Sequence, residues 1–471
     1  KIGSIVKEKF PKENPISSMI KAGGGGNILN ITQMACCVGQ QALWGKRIDF
    51  GFTQRTLSFF KKGDLSPKAR GFIRSSFIKG LRPDEFFFGA VTGRDSLMDT
   101  ALRTPKSGYL YRRLANAFQD LREEYDGTVR DSGNKIIEFK YGDDNKEVSE
   151  LHTDGNICPG EALGLVTAQS FGEPSTQMAL NVFHFAGVAE MQVTMGLPRL
   201  IEIFDARKKP SSPKMEIYLN KEYNNEKDAE IFAEKIKEVT LKEIASEIGI
   251  NFSKKIIEIK IDKEALRKTH TTIKKVIEKL DDLNFKAKEK DEMIVLGAET
   301  LSFKEIYQLK EKLKNTIISG VKGIKQILIL KKENNFIIIT LGTNLEEMIK
   351  LKEVNKNKTI SNDFYEVAEV FGIETARQLI INELKHVINT QGLDINKRHL
   401  KLAADAITNT GQIKGVTRMG IIAQKSSVLA RATFETPIKQ FVNATIKGSK
   451  EKLKSVIENI ILNQPVPVGT G

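Results

Sequence analysis

The stretch that most limits how this chain can fold begins at Pro83. It reads PDEFFFGAVTGRDSLMDTALRTPKSGYLYRRLANAFQDLREEY, with apolar residues at 87, 91, 97, 98, 101, 102, 110, 114, 117, 118 and 121. Most steps are three or four residues, the repeat of a single helix face. Pro83 suits the first helical turn, where a missing N–H costs nothing, and Asp84 and Glu85 complement the positive end of the helix dipole. A helix through to Asp120 would hold about 38 residues and, at 1.5 Å each, span about 57 Å. Globular helices average about three turns, so a rod of that length has to cross something. Pro105 lies inside it, deletes the bond to the carbonyl of Ala101 and crowds that turn, and Gly108 follows. A kink near Thr104 is the expectation; two shorter helices with a turn at TPKSG are the competing one. Arg94, Arg103, Lys106, Arg112 and Arg113 place phosphate-seeking charge around it.

The chain has 471 residues, which at roughly 100–200 residues per domain predicts about three or four domains. Lys and Arg number 73 against 59 Asp and Glu, and the resulting charge of +14 favours polyanionic partners, nucleic acid first. Hydrophobic residues at 40% exclude a disordered chain, and no collagen-like repeat is present. No run of about 18 apolar residues occurs, and the N-terminal KIGSIVKEKFPKEN lacks the apolar core of a signal peptide, which disfavours membrane and secretion. Of the three cysteines, Cys36 and Cys37 are adjacent and cannot provide CxxC spacing, and with Cys158 the count is odd. A reducing, cytosol-like compartment without structural zinc is expected.

Charge divides the chain. Residues 1–130 carry 22 basic and 12 acidic side chains, whereas residues 131–205 carry 4 and 12. The block after residue 205 is written mainly in Lys, Glu and Ile. Strand-like KIIEIKI, KQILIL and NFIIITL alternate there with helix-like DAEIFAEKIKEV and FKEIYQLKEKLKNTI, an α+β pattern with a solvated surface. From residue 356 the chain reads as helices, punctuated by Gly372 and Gly392. The fold class expected is α+β, predominantly helical and multidomain, with a long bridging helix, a mobile helical hairpin and a mixed α/β module.

Residues 157–198 contain no Lys or Arg. A small-residue helix, Gly160 to Ser170, is expected to meet a turn at Gly172 and Pro174, with a second helix starting near Ser175. On that second helix Gln177, Asn181 and His184 fall at i, i+4 and i+7, one stripe with Leu180 on its edge, a set able to read a sugar and a phosphate. Read alone, it is also a solvated helix face. Gly187 and Gly196 bracket a low-charge tip that suits a mobile lid. The run GGGG at 23–26 does not make a phosphate-binding loop, because no GK[ST] follows it, and a turn is the expectation there.

Several segments resemble the largest subunit of multisubunit RNA polymerases of the archaeal and eukaryotic type. They are QMACCVGQQALWGKRIDFGF (33–52), RPDEFFFGAVTGRDSLMDTALRTPKSGYLYRRL (82–114), PGEALGLVTAQSFGEPSTQMALNVFHFAGV (159–188) and GLPRLIEIF (196–204). VFGIETARQLIINE (370–383), KGVTRMGI (414–421), ATFETPIKQF (432–441) and NQPVPVGTG (463–471) look like the same family, and the resemblance is weakest between about 210 and 340.

The resemblance implies a funnel region at 1–81, a bridge helix at 82–121, a connector at 122–157, a trigger loop at 158–205, a jaw-like α+β module at 206–345 and a cleft region at 346–471. It implies that Gln177 and Asn181 approach the ribose of an incoming nucleotide, that Leu180 packs on its base and that His184 approaches its phosphates as the catalytic candidate. Arg103, Thr104, Pro105, Tyr109, Arg112 and Arg113 become bridge-helix residues toward the template, with Thr104 and Pro105 beneath the template base. Pro105 departs from the small non-proline residue usual in the family, and Met419 stands where eukaryotic relatives carry histidine. The family holds Mg²⁺ with a DFDGD cluster that this chain lacks; Asp143-Asp144 and Asp281-Asp282 are isolated pairs. The metal is therefore expected on another part of the polymerase. The partners implied are DNA template, RNA product and nucleoside triphosphates, the second-largest subunit, the rest of the largest subunit and smaller subunits, with no membrane. Localisation would be cytoplasmic and nucleoid-associated in an archaeon, or nuclear in a eukaryote. The chain starts with Lys and stops at a motif that normally continues, as a fragment or an unusual division of the gene would. The alternative from a different class is a non-catalytic nucleic-acid-binding scaffold; it leaves the basic-free segment and its polar stripe unexplained.

Overall fold

The computed structural model describes residues 2–9, 14–22, 28–44, 46–142, 159–178, 182–184, 192–251, 256–268, 272–282, 287–290, 293–297, 303–332 and 335–469. It separates into two compact units, Lys1–Tyr109 and Leu110–Gly471. The architecture is α+β and largely helical, and among the described residues no helix is long and apolar enough to cross a membrane.

In the first unit, short helices at Ile2–Lys9, Pro15–Lys21 and Ile28–Ala35 precede two small antiparallel pairings. Gly39–Gln40 pairs with Phe72–Ile73, and Ala42–Leu43 pairs with Lys46–Arg47. Leu43, Ile48, Phe60, Ala69 and Phe88 make a small core under them. Phe88 belongs to the helix Pro83–Phe118, whose 36 residues cover about ten turns. The helix is continuous through Pro105. Two shorter helices separated by a turn at TPKSG are not what forms.

The second unit is built around one large core. Leu110, Leu114 and Phe118 from the end of the long helix enter it, with Leu163, Ala168 and Phe171 from the helix Leu163–Gln177 and Leu200, Ile203 and Phe204 from the helix Leu197–Asp205. A four-stranded antiparallel sheet runs in the order Gln326–Lys332, Asn335–Leu341, Lys214–Tyr218, Ile360–Ser361. Alternation along the strands splits its faces: Met215, Ile217 and Ile338 join the large core, while Ile337 and Ile339 form a separate cluster with Tyr218 and Leu328. The helices Phe364–Phe371, Ile373–Thr390 and Lys397–Thr408 complete the core, the first two separated by Gly372 at φ +92°.

Residues 239–318 form an inserted module with its own core, including Leu241, Ile257, Ile259, Val276, Ile294, Leu296 and Leu313. Its antiparallel sheet has the order Ala245–Asn251, Ile256–Ile261, Met293–Gly297, Ala287–Lys290. The pairing of Val239 with Ser319 brings the module's two ends together. Beside it, a Cβ on Gly320 would meet the Lys237 carbonyl oxygen at 1.8 Å, so glycine is required for that close pass.

Candidate functional site

The start of the long helix is held by its own sequence. The Glu85 carboxylate, almost fully buried, accepts the backbone N–H groups of Arg74 (3.1 Å), Ser75 (3.3 Å) and Arg82 (3.1 Å). Burial acts to raise its pKa, but the hydrogen bonds from Arg82, Ser75 and Arg74 outweigh that and hold it below the ordinary glutamate value.

The middle of the helix is bare. Leu97 is 74% exposed, Met98 57% and Leu102 64%, so this part of the apolar face lies in the open. Arg94, Thr104, Pro105, Lys106 and Tyr109 are exposed as well. Arg103 pairs with Asp99 one turn earlier. Pro105 leaves the Ala101 carbonyl without its helical amide. In the same stretch the Thr104 hydroxyl donates to the Thr100 carbonyl (3.0 Å) and the Thr100 hydroxyl to that of Ser96 (2.9 Å).

The end of the helix is fixed. Arg112 reaches the carbonyl oxygens of Thr433 and Phe434 (3.4 Å each), at the last turn of the helix Val428–Phe434. Arg113 is buried and pairs with Asp205. Past the helix, the buried Asp120 carboxylate accepts from Lys425 Nζ at 2.6 Å and from the Ser132 hydroxyl at 3.3 Å.

The helix Leu163–Gln177 lies against this fixed end through small residues spaced four apart: Gly164, Ala168 and Gly172. A Cβ on Gly164 would meet the Phe118 carbonyl oxygen at 1.9 Å, and one on Gly172 would meet the Tyr111 ring at 2.4 Å. Ala168 is completely buried between them. This corrects the expectation of a turn at Gly172 and Pro174 with a second helix from Ser175: one helix passes through both residues and ends at Gln177. Gly172 is there for close packing, and the Ser175 hydroxyl, donating to the Gly172 carbonyl at 2.7 Å, stays within the helical turn.

The helical stripe Gln177/Asn181/His184 is corrected too. Val182–His184 is a strand, paired antiparallel with Gln192–Thr194 in the register Val182↔Thr194, Phe183↔Val193, His184↔Gln192. β-Branched residues on both segments, with Phe183 on the first, favour that pairing over a helix. Leu180 and Asn181 lie outside the described residues, as does the side chain of His184. Gln177 is exposed and lines an open pocket of about 400 Å³ with Ser170, Glu173, Asn396 and His399.

Sequence reasoning passed over His399. Its Nδ1 is 3.1 Å from the Tyr141 hydroxyl and 3.0 Å from the Thr167 hydroxyl, so it ties the helix Lys397–Thr408 to the connector and to the helix that carries Gln177. Burial lowers its pKa and favours the neutral ring. Nearby, the Arg377 guanidinium grips both oxygens of Asp405. Glu138 accepts from the Gly142 N–H at 3.0 Å. Burial, and then a shared hydrogen bond with Asp405, push the Glu138 carboxyl up to about 9. The signal in the sequence was a charged residue inside an apolar helical run, Asp405 in LKLAADAIT.

The ten-turn helix is thus anchored at its ends and, among the described residues, exposed in its middle. Residues 80–429 match the family described as RNA polymerase Rpb1, domain 5, and residues 1–73 match RNA polymerase Rpb1, domain 4. The DNA-directed RNA polymerase subunit Rpo1C of Pyrobaculum aerophilum is 40% identical over 372 residues, covering 77% of this chain and 93% of that protein. The chain belongs to the family of the largest subunit of DNA-directed RNA polymerase and corresponds to its C-terminal part. It is thus part of a nucleotidyltransferase that works as a multisubunit complex on nucleic acid. Among the described residues no group of three or more His, Cys, Asp or Glu is arranged to hold a metal ion, and these residues do not fit a catalytic magnesium site.

Proposed function

We propose that Pro83–Phe118 is the bridge helix and residues 158–205 the trigger loop of this polymerase, acting in translocation and in nucleotide positioning. The observation that carries the reading is the glycine seat. Gly164 and Gly172 hold the base of the 158–205 segment directly against Tyr111 and Phe118 of the long helix. Movement of one is thereby coupled to the other. Phosphoryl transfer needs positioning and charge stabilisation more than covalent help from the protein, so a segment that closes over a triphosphate and excludes water acts without a nucleophile. Gln177, Leu180 and Asn181 would orient ribose and base, and His184 would serve the phosphates when the segment closes. Arg94, Arg103, Thr104, Pro105, Lys106 and Tyr109 would face the template. Arg112 and Arg113, tied to the Phe434 carbonyl and to Asp205, would set the angle of the helix. Mg²⁺ would be supplied by another polypeptide of the complex, which includes the second-largest subunit.

The test is single-nucleotide addition by the assembled polymerase carrying His184→Gln or His184→Ala. A proton donor contributes roughly 10²- to 10⁴-fold in rate. General-acid action therefore predicts a large loss in both variants and a flattened pH profile, whereas a positional hydrogen-bond donor predicts a small loss in His184→Gln alone. Near-native addition by both variants removes His184 from the site.

A further inference from the structure

The connection between strands Ala42–Leu43 and Lys46–Arg47 is only Trp44-Gly45, and Trp44 stands at the head of an exposed aromatic surface. Trp44 is 76% exposed and adopts φ +51°, a left-handed backbone conformation that is costly for a bulky side chain. Its ring stacks on that of Phe50, with centroids 5.4 Å apart and planes 17° from parallel. Phe52 is exposed beside a tight turn closed by its N–H to the Arg55 carbonyl (2.9 Å), and the Arg55 guanidinium lies 5.8 Å from the Phe52 ring centre. Gly51, between the two phenylalanines, passes so close to Thr56 that a Cβ would meet its carbonyl oxygen at 2.4 Å. Leu43 and Ile48 anchor the hairpin in the core of the first unit. The rings are thus held outward on a fixed frame.

Charge around them is mainly positive: Lys46, Arg47, Lys61 and Lys62 are exposed and Arg55 half-buried, against Asp49 and Asp64. We infer that this hairpin is a binding platform for single-stranded nucleic acid, the bases stacking on Trp44 and Phe52 while Lys46 and Arg47 meet the phosphates. A basic surface alone would suit any polyanion. Aromatic faces open to solvent add what only unpaired bases use, since a duplex keeps its base faces covered. The assignment does not rest on the bridge-helix reading.

Trp44 is the single tryptophan of the chain, so its emission reports this one place. The full chain is titrated with a single-stranded RNA of about 12 nucleotides, with the same strand in a duplex, and with heparin. Saturable quenching by the single strand, absent with duplex and heparin, is expected. Trp44→Ala should weaken single-strand binding roughly 5- to 150-fold, Trp44→Phe much less. Circular-dichroism melting of both variants checks that the fold is retained, as the exposure of Trp44 predicts. Absent quenching, equal quenching by duplex or heparin, or unchanged affinity in Trp44→Ala overturns the proposal. A Trp44 emission that responds to the other polymerase subunits and not to RNA overturns it in favour of a subunit interface.

Discussion

Leu97 and Phe118 lie on one helix and obey the same three-and-four spacing, yet Leu97 is 74% exposed and Phe118 is fully buried. The periodicity records that a face is apolar; it does not record whose atoms cover it. At the end of the helix the cover is the chain's own, through Gly164, Ala168 and Gly172. In the middle no such cover forms among the described residues, and Leu97, Met98 and Leu102 stay exposed. Removing the Phe118 ring should therefore leave a cavity and cost about 3–5 kcal/mol, while Leu97→Ala should stay within about 0.5 kcal/mol. Urea denaturation of the full chain measures both. Similar losses at the two positions would erase the contrast.

Glycine divides the same two regions by sign. At Gly164 a Cβ has the Phe118 carbonyl oxygen in its way, so Gly164→Ala should destabilise by about 1–3 kcal/mol through overpacking. At Gly93 nothing lies within 4 Å of an added Cβ, and alanine is the better helix former, so Gly93→Ala should stabilise by about 1 kcal/mol or less. The pair is read from denaturation midpoints. A loss at Gly93 would mean that the bare stretch is packed after all.

What was legible in the sequence follows from the same contrast. The long helix, its start at Pro83 and the α+β character of the later block were readable because they depend on local spacing and end signals. Pro105 was readable as a lost hydrogen bond, but one such loss within 36 helical residues is tolerated, and the helix continues. Gly172 was misread: a glycine that permits a turn and a glycine that permits close packing look alike until Tyr111 is placed over it. Val182–His184 was misread for a different reason, since i, i+4, i+7 spacing was imposed on residues that pair with the strand Gln192–Thr194. His399 and Glu138 were invisible because their partners are brought together from distant parts of the chain, and Asp405 showed only as a charge inside an apolar helical run. The family motifs pointed to the right family; Val182–His184 within the polar stripe is a strand, not a helix face.

The smallest expected effect sets a buried carboxyl against that bare surface. Glu123 follows the fixed end of the helix, is buried, and its Oε2 meets no hydrogen-bond partner among the described residues. Burial first, and then the charge of Glu161, push its carboxyl up to about 7, against the pull of Arg398. The folded chain therefore keeps a proton on Glu123 that the unfolded chain, with an ordinary glutamate pKa of 4.5, has released. Where the folded state binds more protons, stability falls as pH rises, so the loss runs from about pH 4.5 to about 7 and then levels off. Between about pH 6 and 7.5 it amounts to about 1 kcal/mol. Glu123→Gln is neutral at every pH and should remove that part of the slope. Glu138, shifted in the same direction, should keep a shallower decline running toward about pH 9. Denaturation midpoints of wild type and Glu123→Gln across this range measure the difference. Parallel curves for the two proteins would mean that Glu123 reaches water, and that the end of the helix is less closed than its burial implies.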